Sequence, residues 1–248
     1  MNSDGTKRQT FVSFDGIELC FFDNGAVGRP VILLHGLIVD SETNFGLDAY
    51  SETGRRVILL DARGHGCSQK PREPEAYADR AMARDVLALI KHLDLSSTDL
   101  MGYSMGGYTA IEAAIIDDEK IGTLILGGVG NAEGTESWFR ERSAEMLTDN
   151  PDEDAFYRRF ADEMGADPKA IGAWFLGAEF PQIGENTDLS RIDVEAHIYN
   201  ASEDEDPAAL AARFQRSQHA RYDGDHVSVL ENPRYIARVT EVLSADTE

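Results

Sequence analysis

The sequence predicts an α/β fold, a mostly parallel central sheet with helices on both faces. Three observations point there. Short apolar segments alternate with longer amphipathic ones along most of the chain. Val31-Ile32-Leu33-Leu34 and Val57-Ile58-Leu59-Leu60 are unbroken apolar runs, the pattern of strands covered on both faces. A strand-like segment, Thr98-Asp99-Leu100-Met101, runs through Gly102-Tyr103-Ser104-Met105-Gly106 into an alanine-rich helix.

At the N-terminal edge, residues 10–14 and 17–22 flank Asp15-Gly16, a hairpin signal. Residues 78–93 read as an amphipathic helix, because Met82, Val86, Leu89, Ile90 and Leu93 recur on one face. Residues 121–126 and 194–200 read as further strands, and 233–243 as a closing helix. From 131 to 191 the alternation breaks into helical patterns, with Phe156, Phe160 and Met164 at steps of four. This interval holds both tryptophans, Trp138 and Trp174, together with Phe139, Tyr157, Phe175 and Phe180. Most of these rings are expected to join a helical layer to the core, and a few to face a cleft. No internal repeat or interdomain linker appears, so residues 1–248 are expected to form one domain.

Chemistry concentrates at Ser104. A serine hydroxyl is a weak nucleophile that needs an adjacent base and donors for the oxyanion it creates. Glycines two residues before and after it permit a tight strand-to-helix turn that lifts the hydroxyl clear. A base is available in Tyr222-Asp223-Gly224-Asp225-His226, a loop that precedes the closing helix. His219 is the competing histidine, without a glycine-containing loop before it. His35 and His65 fall in glycine-rich turns, His92 late on a helix, and His197 mid-strand. After the strand at 194–200 come Glu203, Asp204, Glu205 and Asp206, any of which could orient an imidazole.

Composition narrows the partners. A formal charge of −22 argues against nucleic acid and against an anionic membrane surface. Only five of the 23 basic residues are lysines, a balance that fits a salt-adapted host. No apolar run reaches the roughly 18 residues that suggest a membrane span, and the first twelve residues lack a signal-peptide pattern. Cys20 and Cys67 make no disulfide framework and have no metal-ligand spacing, so free thiols and a cytoplasmic location are expected.

The chain resembles the α/β-hydrolase fold family, in its small serine esterase and lipase-like form, over nearly its whole length. Four segments carry the likeness: Val31-Ile32-Leu33-Leu34-His35-Gly36-Leu37, Asp61-Ala62-Arg63-Gly64-His65-Gly66-Cys67-Ser68, the Ser104 turn, and residues 224–233. The resemblance implies the chain order serine, acid, histidine. It implies Ser104 as nucleophile, His226 as base, a small helical cap at 131–191, and an oxyanion hole of the Leu37 and Met105 backbone N–H groups. Where the family has Gly-x-x-Asp, this chain has Ala201-Ser202-Glu203-Asp204. That favours Asp204 as the acid and leaves Asp206 as the alternative. Asp61, Arg63 and Ser68 are expected to pin the loop beside the site. The implied function is cofactor-free, metal-free hydrolysis of small or medium apolar esters, with Trp138 and Trp174 as pocket walls. Acyl transfer, lactone opening and carbon–carbon hydrolysis use the same triad, and a non-catalytic ligand sensor is the reading from another class. Oligomeric state is not legible.

Overall fold

Period-two alternation sorts the central strands onto two cores. The computed structural model describes residues 7–131, 136–148, 155–178, 183–184 and 187–245. The strands are β1 (Lys7–Val12), β2 (Glu18–Asp23), β3 (Pro30–Leu34), β4 (Arg56–Asp61), β5 (Thr98–Tyr103), β6 (Ile121–Gly127), β7 (Glu195–Ala201) and β8 (Ser217–Tyr222). They form one sheet in the order β1-β2-β4-β3-β5-β6-β7-β8. The β1–β2 and β2–β4 pairs are antiparallel, and every other pair is parallel.

The helices are α1 (Ser41–Phe45), α2 (Ala81–His92), α3 (Met105–Ile116), α4 (Glu136–Leu147), α5 (Phe156–Glu163), α6 (Pro168–Gly177), α7 (Ala208–Ala211) and α8 (Pro233–Ala245). Ile32, Leu34, Ile58 and Leu60 face one core with Val86 and Leu89 of α2 and Ile111 of α3. Their neighbours Val31, Leu33, Val57 and Leu59 face the other, against Tyr235, Val239 and Leu243 of α8. None of these eight strand residues is more than 4% exposed. Both faces are therefore dry, as the unbroken apolar runs require.

A third cluster lies beneath α4, α5 and α6. Phe139, Ile171, Trp174 and Phe175 pack on Ile38, Tyr77, Met82 and Met105. Ile38 follows β3 and Met105 follows β5, so these helices sit over the carboxyl ends of the parallel strands. Phe180 lies outside the described residues. Helix α2 begins three residues later than its apolar stripe predicts. Asp79 and Arg80 both take left-handed backbone angles (φ 53° and 56°), through which a right-handed helix does not run. Among the described residues, no helix is long and apolar enough to cross a membrane.

At the opposite end of the strands Arg55 is completely buried. Its guanidinium pairs with Asp99 and donates to the carbonyls of Arg29, Pro30 and Leu243. All three guanidinium nitrogens are thus engaged, and the last helix is tied to the sheet. Arg55→Ala should leave Asp99 with only the half-exposed Arg29 as its cation. Breaking a buried pair typically costs about 3–5 kcal/mol. Urea unfolding should show that loss, whereas Arg56→Ala, at a partly exposed pair with Asp23, should cost far less.

The expectation of free thiols is corrected by the fold. Cys20 and Cys67 are joined in a disulfide, with Cα atoms 5.6 Å apart. The antiparallel register sets Cys20 opposite Asp61, at the end of β4. The turn after β4 then folds back, and Ser68 Oγ accepts the Cys20 N–H at 2.9 Å. Residues separated by 47 positions meet because of sheet pairing, which local spacing does not reveal.

Candidate active site

The Ser104 turn is built from close backbone crossings. A Cβ on Gly102 would lie 2.2 Å from the Gly106 carbonyl oxygen, and one on Gly106 would lie 2.0 Å from that of Leu34. Only glycine fits at either place. Ser104 itself has φ 52° and ψ −117°, a conformation costing about 1–3 kcal/mol in an L-residue. The surroundings hold it there. Its N–H donates to Gly127 of β6 at 2.8 Å, and its carbonyl accepts from Gly107 and Tyr108.

The loop after β3 lies against this turn. Ala62 N–H donates to His35 Nε2 at 3.0 Å, so Nε2 is the bare nitrogen and the Nδ1 proton goes to the Gly36 carbonyl at 2.7 Å. Asn44 Oδ1, from α1, accepts the Gly36 N–H at 2.7 Å. Both polar groups of Gly36 are thereby fixed, and the next N–H along is that of Leu37. Ile38 follows with φ 76°, rare for a β-branched residue. Met105 supplies the first N–H of α3, which has no partner within the helix by geometry.

His226 and Asp204 meet on loops after β8 and β7. His226 Nδ1 and Asp204 Oδ1 are 2.9 Å apart. The imidazole lies over Gly128, where an added Cβ would sit 2.8 Å from its Cε1. Tyr103, just before the serine, donates its hydroxyl to the His226 carbonyl and sets its ring 5.3 Å from the imidazole. Burial pushes this phenol well above its ordinary pKa, so it remains a donor. Asp225 caps its own loop, accepting the N–H groups of Val227 and Ser228.

The other acids have different employment. Asp206 Oδ1 accepts the Ala208 N–H at 2.9 Å and so starts α7. Glu205 turns away to accept the Asn131 N–H at 3.0 Å. Asn200, fully buried in β7, donates to the carbonyls of Val129 and Glu205 and accepts the Val129 N–H. It fixes the acid loop against β6. His219 lies exposed on β8, paired with Ile198, and His197 is buried against the Tyr199 hydroxyl.

The turn after β4 is pinned as expected. Asp61 accepts from the Ser41 N–H and hydroxyl with one oxygen, and from the Cys67 N–H with the other. Arg63, fully buried, grips Asp85 with two nitrogens and also reaches Asp15. His65 packs edge-on against His35, ring centres 5.1 Å apart, and both are 1% exposed. Burial keeps both rings neutral, and the His65 pKa falls to about 3. Above about pH 6.5 both chain states are neutral at these positions. Between there and pH 3 the unfolded chain takes up a proton that the fold refuses, so stability falls as pH falls. His65 alone should remove on the order of 4–5 kcal/mol across that window. Chemical denaturation at pH 7 and pH 5 should show the decline, and His65→Gln should flatten it.

Of the two tryptophans, Trp174 is buried and its Nε1 points to Met82 Sδ at 3.1 Å. It lines a cavity of about 20 Å³ that also touches Met105 and Tyr108. Ser104 and His226 do not line that cavity, which lies behind Met105. Trp138 is 38% exposed and packs edge-on among Phe139, Tyr157 and Phe175.

A family model described as alpha/beta hydrolase fold matches residues 29–167, more than half of the chain, and the protein belongs to that family. The sn-1-specific diacylglycerol lipase ABHD11 of Xenopus tropicalis is 42% identical over 103 residues, covering 40% of this chain and 31% of the lipase. The chain thus spans about a third of that relative's length. Among solved structures, a hydrolase from Pseudomonas aeruginosa PA01 has a TM-score of 0.81 at 20% identity, covering 96% of this chain and 99% of its own. A thermophilic esterase from Thermogutta terrifontis has a TM-score of 0.76 at 26% identity, covering 96% of each chain. The first of these likenesses concerns the fold alone.

Proposed function

We propose that the protein is a serine hydrolase that cleaves carboxylic esters with a small or medium apolar acyl group. The observation that carries the reading is the 2.9 Å contact of His226 Nδ1 with Asp204 Oδ1, on loops beside a left-handed Ser104. Similarity to an esterase and a lipase supports the same class. Ser104 Oγ attacks the acyl carbonyl while His226 Nε2 takes its proton. Asp204 holds the Nδ1–H tautomer and stabilises the imidazolium. The N–H groups of Leu37 and Met105 receive the oxyanion, and the N-terminus of α3 adds its dipole. His226 then protonates the leaving alcohol, and water, activated by the same imidazole, clears the acyl-enzyme. In this reading α4, α5 and α6 form the cap that excludes water from the cleft.

A fluorophosphonate probe tests the class. It should label the native protein at Ser104 and leave Ser104→Ala unlabelled, and short aryl esters should be turned over equally well in chelator. Absence of both labelling and turnover would leave the ligand-sensor reading. A series of aryl esters of rising acyl length then reads the pocket. Trp174→Ala should shift the preferred length more than it changes turnover of the shortest ester, because remote walls contribute binding rather than transition-state contacts. Trp138→Ala, at a partly exposed ring, should shift it less.

A further inference from the structure

The cavity behind Met105 contains a carboxyl group that the ester chemistry does not use. Glu112 lies on α3 two turns beyond Ser104, about 12 Å along the helix at 1.5 Å per residue. It is 8% exposed and lines this cavity. Among the described residues, no donor reaches its oxygens within hydrogen-bond distance, and no cation lies within ion-pair distance. A carboxyl in that position is costly to keep unless something comes to meet it. Burial pushes its pKa up to about 7, although the charge of Arg80 works in the opposite direction.

The lining is suited to one kind of visitor. Tyr77, Tyr108 and Trp174 line the cavity together with Met82 and Met105. Aromatic faces combined with a carboxylate attract ammonium groups through the ring quadrupole and the charge together. The two methionines are unbranched and adaptable, and Met105 is the side chain that a substrate chain would displace to reach Glu112. The formal charge of −22 draws cations toward the molecule from a distance.

We propose that Glu112 and the surrounding rings form a subsite for a primary ammonium group at the far end of the substrate's acyl chain. The protein would then prefer ω-amino acyl esters to plain fatty ones. This proposal rests on the ester-hydrolase reading above. The groups facing Glu112 are Arg80 from the start of α2, Tyr77 from the turn before it and Tyr108 from α3 itself. Burial keeps the two phenols protonated, so Glu112 is the group that switches near neutrality.

The test compares p-nitrophenyl 6-aminohexanoate with its isostere p-nitrophenyl heptanoate, at about pH 8.5, where Glu112 is ionised and the amine still charged. The native protein should favour the amino ester at least tenfold in kcat/KM, about 1.4 kcal/mol. In Glu112→Gln the ratio should fall to about one while heptanoate turnover persists, and Glu112→Asp should keep part of the preference. A ratio that Glu112→Gln leaves unchanged, or a native preference for heptanoate, overturns the proposal. A second arm needs no turnover: n-hexylammonium chloride is titrated calorimetrically into Ser104→Ala, with and without Glu112→Gln. Binding that weakens about tenfold with Glu112→Gln supports the subsite even if neither ester is cleaved, in which case the ester reading alone fails. Equal binding, or none to either protein, overturns the subsite.

Discussion

Ser104→Ala is expected to lower turnover of a short aryl ester by about 10⁶-fold, the scale seen when a serine nucleophile is removed from another hydrolase. That corresponds to roughly 8 kcal/mol of lost transition-state stabilisation. The expectation follows from the turn: its strain is held by the Gly127, Gly107 and Tyr108 hydrogen bonds, all of them to Ser104 backbone. Alanine keeps every one of those bonds, so the variant should fold as before and unfold within about 0.5 kcal/mol of the native protein. Ser104→Gly separates the two roles further. Glycine accepts φ 52° freely, so this variant should be as inactive as alanine yet more stable, by about 1 kcal/mol. Steady-state kinetics with urea denaturation of all three proteins checks the pair of outcomes. Activity retained in either variant removes Ser104 from the chemistry.

The second large effect is expected at the acid. Asp204→Asn should lower turnover by up to about 10⁴-fold, as an amide does at the same role in a different triad. An amide nitrogen facing His226 Nδ1 would require that nitrogen to accept rather than donate. The proton then moves to Nε2, where the serine needs a base. Asp206→Asn should leave turnover nearly unchanged, because Asp206 accepts the Ala208 N–H in the turn before α7 and an asparagine oxygen accepts it about as well. Comparing kcat for the two variants decides between the carboxylates. A large loss at 206 with little at 204 would move the acid two residues along the loop.

Much of the architecture was legible because it depends on local pattern. The apolar runs of β3 and β4, the Asp15-Gly16 hairpin and the glycine-flanked serine are all short-range signals. Where the reading ran out, the determining contacts were long-range. Asp204 and Asp206 are nearly equivalent in one dimension, and only the start of α7 at Ala208 gives Asp206 other work. Asn200 looked like the polar end of a strand, yet it links that strand to Val129 and to the acid loop. Tyr103 carried no assigned role beside Ser104, yet its hydroxyl supports the His226 loop from 123 residues away. Asn44 gave no signal at all, since its value lies in reaching Gly36. The late start of α2 was hidden because amphipathic spacing reports which face is buried and says little about where the backbone reverses.

The Cys20–Cys67 bond acts most strongly on the state in which none of these contacts exist. It closes a loop that contains β3, α1 and β4, together with Leu37 and the histidine pair. In the folded protein the two ends already lie side by side through the β2–β4 pairing. In the denatured chain, by contrast, a cross-link across 47 positions removes a large set of open conformations. The chain-entropy account puts that restriction at about 4 kcal/mol. A reducing environment would return this freedom to the unfolded ensemble while leaving the native arrangement almost unaltered. The protein's resistance to unfolding is therefore set partly by the thiol chemistry of its surroundings.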